Sequence, residues 1–424
     1  MINRLKPKSE FSRNILTLMT GTTIAQAIPI AISPILTRIY TPEDFGVLAL
    51  FISISAIFGS IANGRYELAI MLPKKDEDAI NIFALGFIIT CFISFILLVF
   101  VILFNEYFTR LLGNNEISFW LYFVPLSVFC IGIWNILNYF NNRKKYYKDI
   151  AKATIIKSIV LSIIQLCIGF IKDGSSGLIL GEVISRMFAN IRLLNNIIKN
   201  KIFVFRVSTI KIIALAKRYK DFPKFSMFAI LANALSGHFI NLLISIYYSI
   251  TILGFYSFTE RILGAPTALI GKSISQVFFQ QATIEKQSTG KAINTFNNTI
   301  KKLIILALPL FGTLFLIVED LFTFIFGEAW RIAGIYAQII MPLFFIRFII
   351  SSVSAIDTIM ERQKIYLVFN LCLLCMSILV IIIFKEDPFE TFLRWFSLSM
   401  GFIYLVYGYV LFKMAKDELN FGVK

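Results

Sequence analysis

Residues 79–104, AINIFALGFIITCFISFILLVFVILF, contain no Asp, Glu, Lys or Arg. A helix of about 20 residues crosses the roughly 30 Å hydrocarbon core of a bilayer, so this stretch is long enough to span one. In lipid every backbone N–H and C=O must be satisfied within the protein, and a single apolar run achieves that as a helix. Runs of the same kind lie upstream at about 14–37 and 45–64, and downstream at about 117–140, 150–171 and 177–197. A second set follows at about 223–248, 252–281, 299–318, 331–356, 365–384 and 390–413. The pattern predicts an all-α integral membrane protein with about 12 transmembrane helices.

Composition agrees. Of 424 residues, 58% are hydrophobic, 16% are charged and 44 are Phe, whereas soluble domains average about 45–50% apolar and about 25% charged. The net charge of +16 could suit a nucleic acid, but the basic residues sit between apolar runs rather than on one face or in a binding motif, so no nucleic-acid partner is expected. They follow topology instead. Arg143, Lys144, Lys145 and Lys148 fill one loop, and Lys286, Lys291, Lys301 and Lys302 bracket another, while the alternate loops are short and carry few bases. The positive-inside rule then places both termini in the cytoplasm.

Arg4, Lys6, Lys8 and Arg13 precede an Ala25-Gln26-Ala27 that mimics a signal-peptide cleavage site. The apolar run continues beyond it through IPIAISPIL, so the segment is expected to stay as the first span. All five Cys lie in apolar runs. Cys372 and Cys375 have redox spacing but sit mid-helix without strand context, and are expected to pack as small apolar groups. The sequence holds no metal-ligand cluster, nucleophile motif or phosphate-binding Gly loop, and implies no cofactor.

The longest inner connection, residues 199–222, contains TIKIIALAKRY, whose apolar and basic residues alternate as in an amphipathic helix on a membrane surface. It divides the chain into an N-terminal six-helix bundle (1–198), a cytoplasmic linker (199–222) and a C-terminal six-helix bundle (223–424). Short echoes between the halves suggest duplication. IYTPEDFGVLALF after the first span matches YYSITILGFYSF after the seventh, pairing Tyr40 with Tyr248 and Gly46 with Gly254. FTRLLG (108–113) matches FTFIFG (322–327), with Pro125 and Pro342 following each at similar distances.

The stretch ILTRIYTPEDFGVLALFISISAIFGSIANGRYELAIMLP, residues 35–73, resembles the Wzx-type polysaccharide (O-antigen) flippases. These share a superfamily with the multidrug and toxin extruders and the lipid II flippases. The resemblance implies a V-shaped, MATE-like transporter of two bundles in the bacterial inner membrane. Its cargo would be an undecaprenyl-pyrophosphate-linked oligosaccharide carried to the periplasmic leaflet, with the lipid bilayer and other polysaccharide-assembly membrane proteins as partners.

Such a cargo needs a wet, cationic cavity. A charge at the centre of a span costs about 2.5–3.5 kcal/mol on insertion scales, so it must find a partner, a water-filled cavity or a route to the interface. Arg347 lies well inside the tenth span with no acid three or four residues away. It is either a cavity cation or half of a cross-helix pair. Lys157 and Lys272 also lack acids at helical spacing and could snorkel. Arg186 follows Glu182 by four residues, on one helical face, as an ion pair or a ligand site. Arg65, Tyr66 and Glu67 close the second span as a gate or an interface marker, and Glu260 and Arg261 are adjacent, so they face different directions.

These bases are the candidate substrate-binding cations. Glu182, Glu260, His238 and Asp357 are the candidates for coupling to transported H+ or Na+, or for charge pairing. His238, with Asn233 and Asn241 nearby, could carry a proton or form a packing hydrogen bond. Pro266, Pro309 and Pro342 favour kinks in the eighth to tenth spans, and Pro29 with Pro34 marks the first span as a hinge. The expected activity is ion-coupled alternating access. A drug-extruding transporter and, less in keeping with the short outer loops, a membrane enzyme of glycan assembly are the alternatives.

Overall fold

The computed structural model describes residues 10–172, 174–199 and 207–418, and all regular structure among them is helical. The first span is α1 (Glu10–Ala31) with α2 (Ser33–Ile39), the second is α3 (Pro42–Gly59), and a short turn, α4 (Tyr66–Ala69), follows. The third is α5 (Asp76–Leu112), the fourth α6 (Ile117–Leu121) with α7 (Val124–Arg143), the fifth α8 (Tyr147–Gly169) and the sixth α9 (Ser176–Lys199). The linker carries α10 (Thr209–Arg218), and a π-turn at Phe222–Ser226 leads into α11 (Met227–Tyr247). The eighth span is α12 (Ile250–Pro266) and α13 (Lys272–Thr289), joined by a π-turn at Thr267–Gly271. Then come α14 (Ile293–Phe326), α15 (Arg331–Val353), the short α16 (Ile356–Ile359), α17 (Gln363–Phe384) and α18 (Phe389–Ala415).

Among the described residues, 11 helical segments are long and apolar enough to cross a membrane. The sixth expected span, α9, is not among them. Its 24 residues reach about 36 Å at 1.5 Å per residue, which is long enough. It is set apart by Glu182, Arg186 and Arg192. Leu178, Ile179, Ala189 and Leu193 of this helix are fully buried, and it packs against α8 and α7.

Helix starts follow local chemistry. Thr41 and Asp44 form a reciprocal capping box at α3, the Thr41 N–H donating to Asp44 Oδ2 at 2.8 Å and the Asp44 N–H to Thr41 Oγ1 at 3.3 Å, with Pro42 in the first turn. Ser249 caps α12 by accepting from the Ile252 N–H at 3.1 Å. Helix 1 of the sequence reading breaks at Ile32, between Pro29 and Pro34, and the Ser33 hydroxyl donates to the Pro29 carbonyl at 2.7 Å across the break. Pro266 ends α12 at the π-turn, whereas α14 and α15 continue through Pro309 and Pro342. Pro125 opens α7, so its parallel with Pro342 is not one of helix position.

The described chain divides into two compact units, Met1–His238 and Phe239–Lys424, the division falling inside α11. In the first, α10 does not stand apart: Leu215 is buried against a core that includes Tyr66, Ile80 and Phe140. In the second, the aromatic content gathers around Trp330, which is 1% exposed and lies 4.5 Å from the Phe258 ring, with Phe326 a further 4.9 Å from Phe258. The echoes of the sequence recur as contacts within each unit. The Tyr40 hydroxyl donates to the Gln165 carbonyl of α8 at 2.6 Å, and the Tyr248 hydroxyl to the Phe384 carbonyl of α17 at 2.6 Å. Burial, with Asp44 beside one and Asp387 beside the other, pushes each hydroxyl up to about 12. Of the cysteines only Cys130 is buried, while Cys167, Cys372 and Cys375 are exposed on the units rather than packed inside them.

Candidate functional site

The first unit gathers charge between α7, α8 and α9. Glu182 and Arg186 share a face one helical turn apart, and Glu182 Oε2 lies 3.1 Å from Arg186 Nε. Lys157, on α8, brings its ammonium to 3.6 Å from the same oxygen. Arg186 also donates to Ser127 Oγ of α7 at 3.3 Å. One carboxylate therefore serves two bases, and the cluster carries a net positive charge. Its side chains are 31% (Lys157), 15% (Arg186) and 14% (Glu182) exposed. Lys157 thus has a cross-helix acid that its own helix does not supply.

In the second unit, Arg347 of α15 and Glu260 of α12 approach to 3.9 Å, outside hydrogen-bonding distance. The Tyr256 hydroxyl lies beside Glu260, the Phe344 ring lies 5.6 Å from the guanidinium, and Tyr404 of α18 is in electrostatic reach. Among the described residues the guanidinium makes no hydrogen bond, and 44% of the side chain is exposed. A guanidinium facing hydrocarbon inside a span would be costly, so its open side calls for a further partner, a water-filled cavity or a route to the interface. It combines the two readings left open by the sequence: it is cross-paired, but loosely, with donors to spare.

The remaining candidates separate. Glu260 joins this pair, while the adjacent Arg261 is partly buried. Lys272 opens α13 immediately after the π-turn and is exposed. His238 is half-buried in α11. Asp357 is 6% exposed in α16 and is held by its own turn, with Thr358 N–H and hydroxyl both donating to Oδ1 and Tyr407 donating to Oδ2 at 3.3 Å. Among the described residues no group of three or more His, Cys, Asp or Glu converges in a way that could hold a metal ion.

Arg65 stands at the turn between α3 and α4. Gly64 and Arg65 both adopt left-handed backbone, φ +57° and +65°, a conformation that costs a non-Gly residue on the order of 1–3 kcal/mol. The reversal brings Arg65 Nη1 to 3.0 Å from Glu67 Oε1, and Glu67 is 2% exposed. Next to it, the Tyr66 hydroxyl donates to the Ala216 carbonyl of α10 at 3.0 Å. Asn63 fastens the same stretch, donating to Thr90 Oγ1 at 2.7 Å and to the Gly132 carbonyl at 3.0 Å. Gly132 admits this approach because a Cβ there would lie 2.4 Å from Thr90 Cγ2. Sequence reasoning missed Ser127, Tyr256, Tyr404 and Asn63, since a lone hydroxyl or amide inside an apolar run carries no periodic signal.

Chemically, the two clusters offer guanidinium and ammonium groups, each already facing a carboxylate, inside spans. Such groups bind phosphate oxygens by charge-assisted hydrogen bonds and exchange partners without leaving a bare charge. The helix order and the apolar length of these helices define an all-helical, multi-pass membrane protein. Solved structures share the fold. The lipid II flippase MurJ in an inward closed conformation matches with a TM-score of 0.74 at 14% identity, over 96% of this chain and 90% of that one. An inward-facing multidrug resistance MATE family transporter of the MOP superfamily matches at 0.61 and 14%, over 94% of each chain. A mutant of the Vibrio cholerae MATE transporter VcmN matches at 0.56 and 12%, over 96% of each.

At these identities the likeness is one of fold. No curated protein matches the sequence. Residues 35–334 match the polysaccharide biosynthesis protein family, and the chain belongs to it.

Proposed function

We propose that the protein is a flippase that moves undecaprenyl-pyrophosphate-linked oligosaccharide from the cytoplasmic to the periplasmic leaflet. It works by alternating access of two six-helix halves, 1–198 and 223–424, in the bacterial inner membrane with both termini cytoplasmic. The observation that carries this is Arg347: a mid-span guanidinium, 44% exposed and 3.9 Å from its acid. That is the arrangement a diphosphate headgroup would engage, the sugar binding by hydrogen bonds and the polyprenyl tail staying in lipid. Lys157 and Arg186 add a second cationic group, and membership of a polysaccharide biosynthesis family supports the cargo class. The half-buried carboxylates Glu182 and Glu260 are the groups through which H+ or Na+ would couple, and pairing with other assembly proteins follows from the same pathway.

Arg347→Ala should abolish surface glycan while the protein still inserts at normal abundance. Normal glycan in that variant would remove the reading. The fold shared with a multidrug MATE transporter favours export of cationic drugs as the second reading. In that case loss of the chain would raise sensitivity to cationic drugs and leave glycan unchanged.

A further inference from the structure

The linker helix α10 has two apolar sides, and unit 1 covers one of them. Leu215 is 6% exposed, and Ile212, Ala216, Tyr219 and Phe222 pack beside it against the core. Three polar contacts hold this side in place: the Ser208 N–H to Asn81 Oδ1 at 2.8 Å, Lys211 to Glu77 at 2.7 Å, and the Tyr66 hydroxyl to the Ala216 carbonyl at 3.0 Å. On the other side Ile210 is 81% and Ile213 52% exposed. Lys217 follows Ile210 and Ile213 at helical spacing, and Arg218, Lys220 and Lys224 are exposed near it. Among the described residues none of these four bases is paired with an acid. The exposed apolar surface resumes at Phe225 (61%) and Phe228 (62%), at the start of the seventh span.

An apolar strip edged with unpaired bases, on the segment that leads into a transmembrane helix with exposed Phe225 and Phe228, fits one kind of partner. We propose that the outer side of α10 is a binding surface for the anionic phospholipid headgroups of the cytoplasmic leaflet. Ile210 and Ile213 enter the acyl boundary there, and Lys217, Arg218, Lys220 and Lys224 contact the phosphates. The helix is then clamped between the bilayer and unit 1, and the Tyr66 contact joins it to the Arg65–Glu67 turn.

The test needs no transport. In full-length protein with Cys91, Cys130, Cys167, Cys372 and Cys375 replaced by Ser, a fluorophore is attached through Ile213→Cys. The protein is reconstituted in phosphatidylcholine vesicles containing either brominated phosphatidylglycerol or, at the same fraction, brominated phosphatidylcholine. Both lipids should quench the fluorophore, phosphatidylglycerol more strongly. Each base near the surface contributes on the order of fivefold to the preference. Lys217→Gln, Arg218→Gln, Lys220→Gln and Lys224→Gln together should therefore erase it, as should about 1 M salt in the unaltered sequence, where the screening length falls to about 3 Å. The salt arm stands even if the quadruple variant fails to fold. Equal quenching by the two lipids, a preference that survives the charge changes or high salt, or no quenching by either lipid would overturn the proposal. The last outcome would mean that the strip meets water or a protein.

Discussion

Replacing Arg347 tests whether its charge serves the cargo or only Glu260. At 3.9 Å two unit charges attract by about 4 kcal/mol at an effective dielectric of about 20. The side chains are 44% and 29% exposed, so screening reduces the net coupling to about 1 kcal/mol. Arg347→Ala leaves Glu260 without its cation, beside the Tyr256 hydroxyl, and Glu260→Gln leaves the guanidinium without a counter-charge. Each single variant should lower the apparent melting temperature in detergent. The double variant should recover part of the loss, because neither charge is then left alone, giving a coupling of about 1 kcal/mol in a double-mutant cycle. Surface glycan should behave differently, absent in Arg347→Ala and still absent in the double variant. If glycan returns together with stability in the double variant, Arg347 is a counter-charge and nothing more.

Two further outcomes concern the family-like stretch. A Cβ on Gly177 would lie 2.0 Å from the Tyr40 hydroxyl oxygen and 3.1 Å from Ile168 Cβ. Gly177→Ala should therefore destabilise by about 1–3 kcal/mol, and Tyr40→Phe should relieve much of it, making the pair clearly non-additive in melting temperature. Burial holds the Glu67 carboxyl above the ordinary carboxylate range against the pull of Arg65. The folded state then binds that proton more tightly than the unfolded chain, so stability falls as pH rises from the ordinary carboxylate pKa through the raised one. Glu67→Gln should remove that slope while still accepting from Arg65, and identical melting-versus-pH curves for the two proteins would contradict it.

Hydropathy revealed the spans because lipid imposes one rule on every residue that faces it. It was weakest where protein faces protein. The absence of an acid near Arg347 or Lys157 was visible along each helix, but Glu260 and Glu182 sit on other helices, and partnership across helices leaves no mark in linear order. The α10 segment read as a surface helix from its alternation, yet half of that pattern is spent on Leu215 and its neighbours against unit 1. Tyr40 and Tyr248 were paired on string similarity alone. Their matched bonds to carbonyls on α8 and α17 give that pairing a physical content that Pro125 and Pro342 lack.

The charges of α9 also bear on how the chain enters the membrane. Taken alone, this helix would partition poorly from the translocon, since each mid-span charge opposes insertion by about 2.5–3.5 kcal/mol. Its acid meets Lys157 of the preceding helix, and the two helices pack closely along their lengths. Side by side, α8 and α9 therefore offset part of each other's charge cost in lipid, which neither helix could do alone.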